Sequence, residues 1–236
     1  MTYRAVLLDL DDTILDFHAC VRYTLESGFA KFHLGEYREE EALPVFRRIS
    51  DELWQGIEKG TVSFEEMKAR RFPEFLEAMH VQGDGRAFEA YFREVLYVSG
   101  IPVQGAMELL ENLHDRVIVC AASNGPGDQQ RSRLKEAGML EYFDELFISG
   151  DIGFSKPDIG FYASVLDTLE KEYPWLRKDE ILCVGDSLSS DIAGGIQAGL
   201  DTCWYNPENK KAPDGWVITH TIERLAEINA LISGSV

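Results

Sequence analysis

Residues 5–13 read Ala-Val-Leu-Leu-Asp-Leu-Asp-Asp-Thr. Four apolar residues run together without alternation and end on Asp9, with Asp11 and Asp12 close behind. An apolar run with no polar face suits a strand buried on both sides, as in a parallel sheet. The same arrangement returns far down the chain. Ile181-Leu182-Cys183-Val184-Gly185 runs directly into Asp186, and Asp191 follows five residues on. If the two strands are parallel neighbours, Asp9, Asp11 and Asp186 meet at one edge of the sheet.

Further strand signals lie at 117–122 (Val-Ile-Val-Cys-Ala-Ala), 146–149 (Leu-Phe-Ile-Ser) and 201–205 (Asp-Thr-Cys-Trp-Tyr). Helical patterns fall between them, over 104–114, 128–138, 158–172 and 189–198, with Gly138 and Gly199 placed as caps. Strand and helix alternating at this spacing predict an α/β fold with a doubly wound, mostly parallel sheet. Such sheets bind ligands outside the carboxyl ends of their strands. Residues 16–98 break the alternation. Apolar residues recur there at helical spacing over 18–33, 41–58, 64–80 and 86–97, so a helical insertion of about four helices is expected, with 1–15 and 99–236 forming the sheet domain. Because the insertion begins just after the first strand, it is expected over the ligand-binding edge.

Composition narrows the function. The 236 residues carry 23 Lys and Arg against 41 Asp and Glu, a net charge of −18. This excludes binding to a nucleic acid polymer through phosphate neutralisation, but not a small anionic substrate held by a metal or a local cation. The 13 Phe, 9 Tyr and 4 Trp, spread along the chain, exclude a disordered acidic tail. Cys20, Cys120, Cys183 and Cys203 are scattered and form no CxxC pair, which reads as reduced thiols in the cytoplasm. No apolar run approaches the ~18 residues of a membrane span, and Asp9 cuts the first one too early for a signal peptide.

The acidic edge carries the chemistry. Two carboxylates ~4 Å apart repel by about 4 kcal/mol at an effective dielectric of about 20. Several such groups therefore call for protonation or a cation. Oxygen ligands without His or Cys suit a hard cation, Mg²⁺ before others, which keeps waters and substrate phosphate among its ligands. Two loops supply a complement for phosphate. Ala122-Ser123-Asn124-Gly125 offers a hydroxyl and backbone N–H groups after one strand, and Ser155-Lys156-Pro157-Asp158 places a lysine before a helix.

These segments resemble the four motifs of the haloacid dehalogenase-like (HAD) hydrolases: Asp9-Leu10-Asp11-Asp12-Thr13, Ser123 in Ala-Ala-Ser-Asn-Gly, Lys156 in Ser-Lys-Pro-Asp, and Gly185-Asp186-Ser187 with Asp191. The resemblance covers essentially the whole chain. It implies a Rossmann-like core with the helical insertion as a C1-type cap. It implies Asp9 as the nucleophile that forms an aspartyl-phosphate, and Asp11 as general acid and then base. It implies Mg²⁺ held by Asp9, the backbone carbonyl of Asp11, and Asp186, with Asp191 behind them. Ser123, Asn124 and Lys156 would bind the phosphoryl group, and Lys156 would also position Asp9. Asp11 directs the expectation to phosphate esters, because a leaving alkoxide needs a proton and a leaving halide does not. One departure stands out: the usual first motif has Gly after its second Asp, where this chain has Asp12.

The runs Ser123-Asn124-Gly125-Pro126-Gly127 leading to Gln129-Gln130, and Ser190 to Pro207 with its Gly194-Gly195-Ile196-Gln197-Ala198-Gly199 segment, look like the pyrimidine 5′-nucleotidase subgroup. A small phosphorylated metabolite, a nucleotide first, is the expected partner. Three alternatives remain open: a phosphatase for a sugar phosphate or phosphoglycolate, a phosphomutase, and a non-enzymatic phospho-accepting module. Phe17, Tyr23, Trp54, Phe64 and Tyr91 in the insertion are candidates to stack on a base, although their helical spacing makes most of them core.

Overall fold

The computed structural model describes residues 3–232. Six strands form one sheet in the order β3-β2-β1-β4-β5-β6: β1 (Ala5–Leu8), β2 (Ile118–Ser123), β3 (Glu145–Ile148), β4 (Ile181–Gly185), β5 (Asp201–Tyr205) and β6 (His220–Ile222). Every neighbouring pair is parallel. The order reverses direction at β1 and β4, which makes the crevice beyond their carboxyl ends the switch point of the sheet.

The strands lack a polar face because both faces are covered. Val6 and Leu8 of β1, Val119 and Ala121 of β2, and Leu182 and Val184 of β4 face one core, shared with helices α5 (Ala106–Leu113), α6 (Gly127–Glu136) and α10 (Ile228–Ile232). Ala5, Leu7, Ile118, Cys120, Ile181 and Cys183 face the other, shared with α8 (Ile159–Glu172) and α9 (Ala193–Ala198). Taking one such aliphatic side chain out of water is worth about 2 kcal/mol, and these strands gain it on both faces of the sheet. Gly194 lets α9 approach α8: a Cβ there would lie 2.3 Å from the Tyr162 ring. The short α7 (Ser149–Ile152) and the edge strand β6 were not expected from the sequence.

The chain splits into two compact units, one of residues through Asp16 and from Gly100 onward, the other Phe17–Ser99. Within the first, the outgoing and returning segments run side by side: Asp16 N–H donates to Ile101 O at 2.8 Å, and Val103 N–H to Ile14 O at 2.9 Å. The second unit holds α1 (Phe17–Lys31), α2 (Glu39–Glu58), α3 (Phe64–Ala78) and α4 (Gly85–Tyr97). Its helices start where capping directs. Ser63 and Glu66 form a reciprocal capping box, and Asp84 accepts from the N–H groups of Arg86 and Ala87. Phe46, Phe72, Phe75, Phe88 and Phe92 are buried together, with Phe72 stacked on Phe88 at 4.4 Å. Trp54 and Phe64 pack on each other, whereas Tyr23 is 59% exposed.

Inside this aromatic core, Arg71 grips Glu89 by two bonds, Nε to Oε2 at 3.0 Å and Nη2 to Oε1 at 2.6 Å. Burial still pushes the Glu89 carboxyl up, against the pull of Arg71. Desolvation therefore outweighs attraction, the usual balance for a buried pair. Arg71→Met is expected to destabilise the protein by about 3–5 kcal/mol by stranding a buried carboxylate. Adding Glu89→Leu is expected to restore most of the loss in urea unfolding. A double variant as unstable as the single one would show that shape, not charge, decides this core.

No helix among the described residues is long and apolar enough to cross a membrane. All four cysteines are buried thiols.

Candidate active site

The site is built where β1 and β4 end. Leu8 pairs with Val184, and Asp9 N–H donates to Val184 O at 2.9 Å, so Asp9 emerges beside Gly185 and Asp186. Asp191 is delivered by a π-helical turn over Leu188–Ile192, which Tyr162 steadies by donating its hydroxyl to Ser190 O at 3.1 Å. Gly185 makes room for it: a Cβ there would stand 2.1 Å from Asp191 Oδ2. As a result, carboxylate oxygens of Asp9, Asp186 and Asp191 lie within 4.8 Å of one another.

Lys156 answers part of this negative charge. The residue is 1% exposed, and its ammonium spends all three protons, on Asp9 Oδ1 at 2.6 Å, Asp191 Oδ1 at 2.6 Å and Ala122 O at 2.5 Å. Burial works against its charge, but Asp191 and Asp9 outweigh burial and hold the ammonium above its ordinary range. Burial pushes the Asp9 carboxyl up to about 7, opposed by Lys156 and reinforced by Asp191 and Asp11. Asp186 is likewise held well above the carboxylate range, by burial first and then by Asp9 and Asp191. One lysine thus leaves the acids under-compensated. An all-carboxylate donor set with this excess charge fits a hard divalent cation. Asp191 already accepts from Lys156 on Oδ1 and from Ser187 N–H on Oδ2 at 3.1 Å, so it is the member most committed to the protein.

The other predicted residues fall around this trio. The side chain of Asn124 grips the Lys156 backbone at both ends: Oδ1 accepts from its N–H at 2.8 Å, and Nδ2 donates to its carbonyl at 3.0 Å. Asn124 thus presents Lys156, which sits at a cis peptide before Pro157. Its loop is tied down by Ser149, whose Oγ accepts from Gly125 N–H at 2.9 Å. Ser123 ends β2 with its side chain buried. Asp11 stands outside the trio. Its Oδ1 accepts from Arg133 at 2.5 Å and its Oδ2 from Gln130 at 2.8 Å.

Asp12 has φ +59°. That left-handed conformation explains why glycine is usual at this position, and Asp is among the few other residues that tolerate it.

Four supporting residues had no assigned role in the sequence. Thr13, fully buried, accepts from Asp186 N–H at 3.1 Å and donates to its Oδ1 at 3.4 Å. Trp204 donates from Nε1 to Asp186 O at 2.9 Å. Gln130 and Arg133 hold Asp11. Thr13 stood inside the first motif, but only the pairing of β1 with β4 shows what its hydroxyl touches.

The family model for haloacid dehalogenase-like hydrolases matches residues 3–199. The chain is 32% identical to the HAD-hydrolase YfnB of Bacillus subtilis over 231 residues, covering 98% of this chain and 96% of that one. The solved structure of YfnB bound to magnesium superposes with a TM-score of 0.88 at 31% identity, over 99% of this chain and 100% of that one. The pyrimidine 5′-nucleotidase PynA of Streptococcus pneumoniae is 32% identical over 215 residues, 89% of this chain and 86% of PynA. The pyrimidine 5′-nucleotidase YjjG of Escherichia coli is 27% identical over 232 residues, 98% of this chain and 99% of YjjG. With the four motif segments assembled at one sheet edge and a family match over most of its length, the chain belongs to the haloacid dehalogenase-like hydrolases.

Proposed function

We propose that the protein is a Mg²⁺-dependent phosphatase acting on nucleoside 5′-monophosphates, pyrimidine ones first. The observation that carries this reading is the acid trio of Asp9, Asp186 and Asp191, with a second carboxylate, Asp11, held separately by fixed donors. The two relatives named as pyrimidine 5′-nucleotidases support the substrate class. The reading places the enzyme in the reducing cytoplasm, where its four buried cysteines stay thiols.

In the mechanism, Asp9 attacks the phosphorus and forms an aspartyl-phosphate, while Asp11, a carboxylate between Arg133 and Gln130 in this structure, first takes up a proton and then gives it to the departing 5′-oxygen. Asp11, now a carboxylate, then takes a proton from the water that attacks the same phosphorus. Phosphate leaves, and Asp9 and Asp11 return to their starting states. Lys156 holds the Asp9 carboxylate by one oxygen and offers positive charge to the phosphoryl group. The Ser123 hydroxyl donates to a phosphoryl oxygen, joined by backbone N–H groups of its loop other than that of Gly125, which Ser149 holds. Asp9, the Asp11 carbonyl and Asp186 would hold the cation, with Asp191 behind them. When bound, Mg²⁺ supplies charge to offset the crowded carboxylates and the phosphoryl oxygens.

A phosphate-release panel tests this. Pyrimidine nucleoside 5′-monophosphates are expected to exceed sugar phosphates and phosphoglycolate in kcat/KM by roughly tenfold or more, since one well-matched binding group is worth about that factor. Chelation is expected to remove the activity and Mg²⁺ to restore it. Preference for a sugar phosphate would replace the substrate class, and undiminished turnover in chelator would remove the metal.

A further inference from the structure

The polar chain behind Asp11 runs through two residues of α6 that lie one turn apart, Gln130 and Arg133. Both are 1% exposed, as is Ser123. The polarity of the chain can be worked out from its chemistry. A guanidinium has only donors. Arg133 Nη1 donates to Asp11 Oδ1 and, at 2.9 Å, to Gln130 Oε1. That contact fixes which end of the Gln130 amide is oxygen, a choice geometry alone leaves open. The Nε2 end must then face the other way. There its two N–H groups meet Asp11 Oδ2 and Ser123 Oγ, each at 2.8 Å. Ser123 Oγ is therefore an acceptor in this chain. Among the described residues, the acceptor within reach of its own hydrogen is Asn124 O, 3.3 Å away, long for a hydroxyl donor.

We propose that Gln130 and Arg133 are positioning residues of the reaction: Arg133 sets the Gln130 amide, and that amide both holds the Asp11 carboxylate and leaves the Ser123 hydroxyl as a donor for a phosphoryl oxygen. The inference rests on the phosphatase reading and adds to it a physical link between the proton-transfer group and the phosphate cradle. A buried arginine needs a counter-charge, and Asp11 supplies one, so Arg133 alone has an ordinary structural explanation. Gln130 does not. A neutral amide bridging a carboxylate to a hydroxyl adds no charge compensation, but it sets the direction of two groups that must meet the same substrate. With Gln130, Arg133 and Ser123 all buried, a network of this kind favours one geometry.

The test separates positioning from packing. Gln130→Met keeps the volume and the Arg133–Asp11 pair and cuts only the bridge. An alkyl ester such as a nucleoside 5′-monophosphate needs its leaving oxygen protonated, whereas p-nitrophenyl phosphate needs this far less. kcat/KM is expected to fall by roughly 30-fold or more for the alkyl ester and by roughly threefold for the aryl one, within the range that general acid catalysis commands. In an Asp11→Asn background, Gln130→Met is expected to add no alkyl-specific loss. Gln130→Leu, which has no donor at all, repeats the comparison should the Met variant fail to fold. It is expected to lose at least as much of the alkyl reaction. Equal losses on both esters, or no loss, would overturn the proposal while leaving the phosphatase reading standing. A wild-type protein that releases phosphate from neither ester would instead overturn the phosphatase reading itself.

Discussion

Asp9→Asn is expected to lower phosphate release by roughly 10⁴–10⁶-fold, the scale seen when a nucleophile is removed from a hydrolase, while the thermal melt stays within a few degrees of wild type. The two residues have the same shape, so the packing at the end of β1 is preserved. The amide oxygen of Asn can still accept from Lys156 in place of Asp9 Oδ1. What disappears is the charge and, with it, the nucleophilicity of the attacking oxygen. The fold does not depend on that charge. Burial already pushes the Asp9 carboxyl up to about 7, so ionising it in place is unfavourable for the folded chain. A neutral isostere relieves that penalty, and Lys156 retains Asp191 as its partner. Initial-rate phosphate assays beside a melting curve check both halves. An Asp9→Asn variant that turned over at the wild-type rate would remove Asp9 from the nucleophile's place.

The reach of the sequence follows from where each signal resides. β1, β2 and β4 were legible because they are buried on both faces, which forces uninterrupted apolar runs. β6 was not: it has three residues, His220-Thr221-Ile222, at the sheet edge, and Thr221 is exposed. Asp9 and Asp186 were legible because each directly follows such a run, so parallel pairing alone brings them together. The lysine contact to Asp191 was less so, because a helix was expected from residue 189 and the chain instead makes a π-helical turn through Leu188–Ile192. Gln130 and Arg133 were not legible as part of the site. α6 reads Gly-Asp-Gln-Gln-Arg-Ser-Arg-Leu-Lys-Glu, polar at nearly every position, so periodicity cannot say which face is buried. Burial there is decided by a carboxylate more than a hundred residues earlier in the chain. Polar side chains satisfied by distant partners leave no local pattern.

Lys156→Met should have the second largest effect, on stability as well as turnover. Lys156 is the single cation among the described contacts of Asp9 and Asp191, and its three protons are all spent inside the protein. Methionine fills a similar volume and leaves the two buried carboxylates facing each other and Asp186. Removing one partner of a buried ionic group costs about 3–5 kcal/mol. For a chain of this length that lowers the melting temperature by roughly 10 °C. Turnover is expected to fall by roughly 10³-fold, because the phosphoryl group loses a fixed cation and Asp9 loses the bond that orients it. Arginine is not expected to rescue either loss, since its planar fork does not fit three converging acceptors around one nitrogen. The two roles can be separated with divalent cation. If the defect is uncompensated negative charge, millimolar Mg²⁺ should raise the melting temperature of Lys156→Met by more than it raises that of wild type, while turnover stays low. Equal shifts for the two proteins would mean that the acids do not depend on Lys156 for their compensation, and the electrostatic account of the site would have to be replaced by one in which the lysine serves substrate alone.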